Sequence, residues 1–452
     1  MRAEDVFRSD QLVYVELEIL TVADKQMDFS KVRKLTILIF ALHHPYSTGY
    51  TSGAWVRLLE ILKRAKAFNI HYVLTEPSPT FRDRCKVNYE SIPVCSNDYE
   101  KILGSAFVTL EATIKGIRRA IKRDIDLIVS PIEAPFCVIP AFVTSLMTGI
   151  PWTAVIHNVP VYSRLPEDRL SQGGYSVSFE DLHQYIKQNK HKGRRTHFVI
   201  LSTILNYILY KILKTTTIIG VGTAVRDLNM IDKHIRVKEV FPANSIPLNE
   251  ITKARIEEAD ESKEYDALFV GGLRSQKGIF DAINAWHLVA RKNPSLNLYI
   301  VGKEREKGIV KRIEKLIERH NLIDNVHFLF DPLKGAPFVT DVWKSMKKSR
   351  ILIFPSTIDA WSITVGEALS FGLPVVGYDI FALKHAYGDC EAVIRVPVGD
   401  VNQLAAKVME LLENRRQLSK LGRDALQFVR NYYTWNDVVS AERLIYERLL
   451  SR

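Results

Sequence analysis

Residues Ile351 to Tyr378 read ILIFPSTIDAWSITVGEALSFGLPVVGY. Ile351 to Phe354 form an apolar run with the length and β-branched content of a buried strand. Pro355 and Ser356 end that strand, and Asp359 to Ser362 make a small polar turn. From Thr364 the spacing becomes helical, carrying Glu367, Ala368 and Leu369 up to a Gly372-Leu373-Pro374 stop. A second apolar strand, Val375 to Gly377, follows. The stretch is therefore a strand–loop–helix–strand unit of an α/β fold. Backbone N–H groups at a helix start attract anions, which makes the loop Ala360, Trp361, Ser362, Ile363 and Thr364 a natural phosphate seat. Asp359 and Glu367 flank it. A carboxylate accepts paired hydrogen bonds from vicinal hydroxyls, which a ribose and a hexose both present.

Upstream, LTILIFA at Leu35 to Ala41 reads as a buried strand and leads into the loop HHPYSTGYTSG. An amphipathic helix over Ala54 to Phe68 and a strand at Ile70 to Leu74 complete a βαβ unit. Such a unit opens a doubly wound sheet that binds ligands beyond the carboxyl ends of its strands. Gly49, Ser52 and Gly53 lie in its loop, without the spacing of a dinucleotide fingerprint. Further strands are predicted at Asp126 to Ser130, Trp152 to Ile156 and Thr217 to Val221. A second set follows at Ala267 to Val270, Leu298 to Val301, Val326 to Phe330 and Ala392 to Val396. His157 ends one of these strands, where a cleft between two domains is expected. Asp124 and Asp126 spell D-x-D, but they precede a strand instead of following one and read as a solvated strand entrance.

The composition is that of a globular protein: 452 residues, 47% hydrophobic and 25% charged, enough for two or three domains with full cores. The net charge of +11 suggests an anionic partner. No zinc-finger spacing, RNA-binding string or concentrated basic arm supports nucleic acid. Cys85, Cys95, Cys137 and Cys390 lack metal-ligand spacing and read as free thiols of a reducing compartment. The polar, acidic start argues against a signal peptide, and no run of about 18 uncharged apolar residues marks a membrane span.

The central stretch resembles the retaining glycosyltransferases of GT-B fold known as group 1, or family four. Their pattern is a glutamate, seven residues, a second glutamate, then E-A-x-x-x-G-x-P-V-V. Here Asp359 and Glu367 hold those places and the continuation is EALSFGLPVV. The resemblance implies that Glu367 holds the ribose of a nucleotide sugar, that Asp359 meets the transferred sugar, and that the backbone of 360–364 faces the phosphates. It departs in Asp for Glu at 359, one methylene shorter, and in Ala-Trp-Ser for the usual Gly-Phe-Gly. A second family pattern is Gly-Arg-Leu, three residues, then Lys-Gly, in which Arg and Lys grip the diphosphate. In GGLRSQKG, Lys277 matches, Gly272 occupies the arginine's place and Arg274 follows two residues later. The resemblance also implies a role near the reaction centre for His157, and for Gly49, Ser52 and Gly53 a loop facing phosphates and acceptor.

The expected architecture is two Rossmann-like domains facing across a cleft, with a C-terminal helix crossing back to the first. An extension over 1–33 precedes a first domain at 34–248, a linker at 249–264, a second domain at 265–434 and the crossover helix at 435–452. The expected activity is sugar transfer, with retention, from a nucleoside-diphosphate sugar to a glycan, glycolipid or polyprenyl-linked acceptor. No metal or other cofactor is expected. The basic run at Lys187 to Arg195 and the apolar residues up to Lys214 suggest an anionic membrane surface as a further partner, hence a cytoplasmic protein peripheral to the inner face. Two rivals share the fold: a non-catalytic scaffold that binds nucleotide sugars, favoured by the departures at 272 and 359–362, and a nucleotide-sugar epimerase.

Overall fold

A computed structural model describes residues 31–42, 53–76, 89–95, 102–122, 124–157, 208–209, 211–225, 234–256, 263–334 and 337–451. Gly49, Ser52, Cys85 and almost all of the 187–214 segment lie outside the described residues.

The first sheet contains β1 (Leu35–Ile39), β2 (Ile70–Glu76), β3 (Glu90–Pro93), β4 (Leu127–Ser130), β5 (Trp152–Ile156), β6 (Thr217–Val221) and β7 (Arg236–Val240). Its seven strands run in the order β3-β2-β1-β4-β5-β6-β7, and every pairing is parallel. The second sheet contains β8 (Tyr265–Val270), β9 (Leu298–Val301), β10 (Val326–Phe328), β11 (Ser349–Phe354), β12 (Val375–Tyr378) and β13 (Val393–Val396). Its six parallel strands run β10-β9-β8-β11-β12-β13. Helices cover both faces of such sheets, so central strands are apolar throughout instead of alternating. β4, β5, β6 and β12 are buried at every residue.

Around the sheets lie α1 (Gly53–Arg64), α2 (Ile102–Lys122), α3 (Pro135–Thr148), α4 (Leu248–Ile256), α5 (Ile279–Lys292), α6 (Ile309–Arg319), α7 (Val339–Lys348), α8 (Ile363–Ser370), α9 (Phe381–Tyr387), α10 (Val401–Glu413), α11 (Arg415–Arg430) and α12 (Trp435–Leu450). Their apolar stripes face the sheets: in α6, Ile309, Val310, Ile313 and Ile317 are buried while the lysines and glutamates between them stay in water. β3 and α2 have no counterpart in the sequence reading, because β3 is a short edge strand, ESIP, with no apolar run. α4 is a helix inside the span read as a linker. Of the D-x-D aspartates, Asp126 is committed to the fold. Asp126 accepts the Thr36 amide at 2.8 Å and bonds Arg33, fixing the approach to β1.

The crossover helix α12 starts on a capping box between Thr434 and Asp437 and docks on the first domain. Arg443, fully buried, donates to the Phe68 carbonyl at 2.6 Å, the Asn69 carbonyl at 3.1 Å and the Arg33 carbonyl at 2.8 Å. Glu442 pairs with buried Arg57, whose Nε also donates to the Ala243 carbonyl at 2.7 Å. Both cations leave water only because carbonyls and a carboxylate replace it.

The two domains meet again at the central loop. Gly222, just past β6, has φ 55°, and a Cβ there would lie 2.1 Å from the Ala360 carbonyl oxygen. Next to it, the Thr223 amide donates to the Ala360 carbonyl at 3.4 Å and its hydroxyl to the Asp359 carbonyl at 3.3 Å. Gly222→Ala combines a left-handed backbone, costing about 1–2 kcal/mol, with a clash. It is expected to lower the thermal midpoint and loosen the loop, which hydrogen exchange at 359–362 would report; unchanged protection there would refute the contact.

Candidate active site

In open α/β sheets, ligands bind beyond the strand ends where the strand order reverses. In the second sheet that point lies between β8 and β11, which are neighbours. The loops leaving these strands carry Arg274 and Lys277 on one side and Asp359 on the other. Backbone bonds hold them together: the Thr357 amide donates to the Gln276 carbonyl at 3.0 Å, and the Thr357 hydroxyl reaches the same oxygen at 3.2 Å. Gly278 is required where they touch, since its φ is 73° and a Cβ would sit 1.9 Å from the Pro355 carbonyl oxygen.

Lys277 Nζ meets Asp359 Oδ2 at 2.6 Å, with the two side chains 31% and 18% exposed. Two of the residues singled out by the sequence thus form an ion pair open to solvent. The other Asp359 oxygen accepts the Ser362 amide at 3.3 Å. Ser362 has φ 59° and ψ 51°, left-handed geometry that explains why a glycine is usual at this place in the family pattern. The Tyr387 hydroxyl steadies this turn by donating to the Ser362 carbonyl at 3.1 Å.

The Trp361 side chain is buried, not presented to a ligand. Its Nε1 donates to the Tyr432 hydroxyl at 3.0 Å, and its ring packs edge-on against Phe241 and His385. Only its backbone is left for a ligand. His385 in turn reaches across to Glu239 of the first domain at 2.7 Å. Ile363 and Thr364 open α8, and Glu367 lies about one turn in. Glu367 Oε1 accepts Trp343 Nε1 from α7 at 3.1 Å. Burial pushes its carboxyl up to about 7, and the Trp343 bond opposes that shift.

His157 stands at the carboxyl end of β5, 4% exposed. Neither of its ring nitrogens has a hydrogen-bond partner among the described residues. Glu133, on the loop after β4, accepts the His157 amide at 3.1 Å and lies 3.7 Å from its Nδ1. Glu133 was missed in the sequence, although a carboxylate just past a predicted strand was a usable signal. The β5–β6 register pairs Ile156 with Gly220, which sets His157 beside Val221 and next to the Gly222 contact with Ala360. Gly53 begins α1. Among the described residues no group of His, Cys, Asp and Glu could hold a metal ion, and no helix is long and apolar enough to cross a membrane.

Comparison with known proteins agrees with this geometry. Residues 250–428 match the family described as glycosyl transferases group 1. An uncharacterized glycosyltransferase of Haemophilus influenzae is 31% identical over 138 residues, which cover 30% of this chain and 34% of that protein. Glycogen synthase of Mycobacterium tuberculosis is 24% identical over 182 residues, 40% of this chain and 42% of its own. The chain therefore spans between a third and a half of the length of these curated relatives. Among solved structures, sucrose-phosphate synthase of Thermosynechococcus elongatus superposes with a TM-score of 0.66 at 15% identity, covering 92% of this chain and 100% of that one. Anabaena HepE in complex with UDP-glucose gives 0.63 at 16% identity over 92% and 100%. Two parallel sheets meeting at their carboxyl edges, the crossover helix and these superpositions are the GT-B fold, and within it residues 250–428 are similar to the group 1 glycosyl transferases.

Proposed function

We propose that this chain transfers a sugar, with retention, from a nucleoside-diphosphate sugar to a hydroxyl of a glycan, glycolipid or polyprenyl-linked saccharide. The observation that carries this reading is the Lys277–Asp359 pair at the switch point of the family-matched domain. In the free protein the two neutralise each other. An arriving diphosphate offers Lys277 a doubly charged partner and releases Asp359 towards the donor sugar's hydroxyls. As the glycosidic bond breaks, charge builds on the leaving diphosphate, where a fixed cation is most effective. Glu367 holds the ribose, and the backbone of 360–364 meets the phosphates. His157, whose backbone amide is held by Glu133 of the same domain, faces the donor site from the acceptor side. HepE was solved with UDP-glucose, which favours a UDP-sugar as donor here.

A thermal-shift panel of UDP, GDP, ADP and their sugars tests the reading, with Lys277→Ala as control. A ligand at 100 times its dissociation constant stabilises by about 2.7 kcal/mol. One base series should shift the wild type and, at the same ligand concentration, shift the variant clearly less. No shift with any of them would overturn the donor site. Turnover then separates an enzyme from a scaffold: slow donor hydrolysis that vanishes in Lys277→Ala belongs to a transferase.

A further inference from the structure

Gly272 leaves the diphosphate side of the donor site without the arginine that Gly-Arg-Leu would supply. The space is not empty. An ideal Cβ on Gly272 would lie 3.0 Å from Arg305 Cγ and 3.8 Å from Arg305 Cβ. The aliphatic stem of Arg305 therefore runs where a side chain at 272 would begin. Resting on the donor reading above, we propose that Arg305 is a diphosphate-binding residue of this site, delivering from the loop after β9 the guanidinium that position 272 lacks on the loop after β8.

The two loops are registered closely enough to make that exchange. The Gly271 amide donates to the Val301 carbonyl at 3.0 Å, the Leu273 amide to the Lys303 carbonyl at 2.9 Å, and the Arg305 amide to the Leu273 carbonyl at 3.1 Å. A Cβ on Gly302 would come within 2.0 Å of the Gly271 carbonyl oxygen, so glycine keeps the backbones in contact. Arg305 is thus carried on a rigid extension of the β8–β9 pairing and not on a free loop tip.

The neighbouring carboxylates are committed elsewhere. Glu304 Oε1 accepts the Gly308 amide at 2.9 Å. Glu306 takes the Ser275 amide at 2.8 Å and hydroxyl at 2.9 Å, and pairs with Arg312. Arg305 Nη2 is buried and has no hydrogen-bond partner among the described residues. Burial and the nearby Arg274 charge both lower the Arg305 pKa. Among the described residues no carboxylate pairs with Arg305, and Arg274, whose charge it feels, sits on the loop that carries Lys277; an anion with several oxygens would satisfy both guanidiniums. An arginine suits a diphosphate because its planar fork matches paired oxygens.

Calorimetric titration of UDP, GDP, ADP and the matching nucleosides into wild type, Arg305→Ala and the double variant Gly272→Arg/Arg305→Ala tests this. Arg305→Ala should weaken the preferred diphosphate about tenfold or more, the worth of a charge-assisted bond, while the nucleoside binds as before. The double variant should recover most of the loss, since an arginine at 272 then has room. Equal diphosphate affinity in wild type and Arg305→Ala would overturn the assignment while leaving the donor site standing. So would a parallel loss for diphosphate and nucleoside, or a double variant that unfolds at the wild-type temperature yet binds no better than Arg305→Ala. A wild type that binds none of the diphosphates would remove the donor reading and this residue's role with it.

Discussion

Lys277→Ala is expected to lower kcat/KM for donor turnover by on the order of 10²–10³-fold, the loss seen when one fixed group facing transition-state charge is removed. Ground-state donor affinity should fall by less, because the leaving diphosphate gains charge only as the glycosidic bond breaks. The same substitution should barely move the unfolding midpoint. Lys277 is 31% exposed and its partner Asp359 18%, and half-exposed pairs contribute at most about 1 kcal/mol. This contrast is the useful part of the experiment. A purely structural ion pair would show a stability loss with activity following it. A functional cation shows large kinetic loss on an intact fold. Lys277→Arg should recover only part of the rate, since the charge returns on a differently shaped head. Steady-state kinetics beside thermal denaturation of the three proteins settles the matter. Activity within threefold of wild type in the alanine variant would refute the role given to Lys277.

How far the sequence carried this site follows from which contacts are local. Strands such as LIVS and WTAVI announce themselves because a strand covered on both faces must be apolar at every position. The 359–367 loop and helix were readable because their spacing is contained in one stretch of chain. Lys277 and Asp359 are 82 residues apart, and only the adjacency of β8 and β11 brings them together. That adjacency follows from the crossover topology, not from any local pattern. Trp343 is the partner of Glu367 from a different helix, 24 residues away. Nothing in VTDVWKSMKK tells its indole from an ordinary core residue. Trp361 is a case where the pattern was silent on the side chain. Its place in the pattern assigned only its backbone and left its side chain unread; a large ring beside Phe241, His385 and Tyr432 is worth more buried than exposed. Gly272 looked like a lost function, because a sequence shows which side chain is missing and not which neighbour reaches over the gap.

Glu367→Gln should make the free protein more stable and its donor site far weaker, with pH dependences that oppose each other. The carboxyl is raised from 4.5 to about 7 by burial, against the opposing Trp343 bond. The sign of the stability effect follows from proton counting. Between pH 4.5 and about 7 the folded chain keeps the Glu367 proton while the unfolded chain has lost it. The unfolded state then binds fewer protons, so stability falls as pH rises through that window and levels off above it. Glutamine carries no charge to bury and can still accept the Trp343 N–H through its amide oxygen. The variant should therefore unfold at a higher temperature than wild type at pH 8 and at nearly the same temperature at pH 4. Donor binding runs the other way. A ribose diol donates to a carboxylate, so wild-type affinity should rise about tenfold between pH 6 and pH 8 as the proton leaves. In Glu367→Gln affinity should be about 100-fold lower at pH 8, the loss of charge-assisted bonds to both hydroxyls, and flat with pH. Titration of the nucleoside diphosphate at both pH values, with melting curves of the free proteins, measures all of these. An affinity that falls with pH in wild type, or a variant less stable than wild type at pH 8, would show that Glu367 is a structural carboxyl held for the fold and not for the ligand.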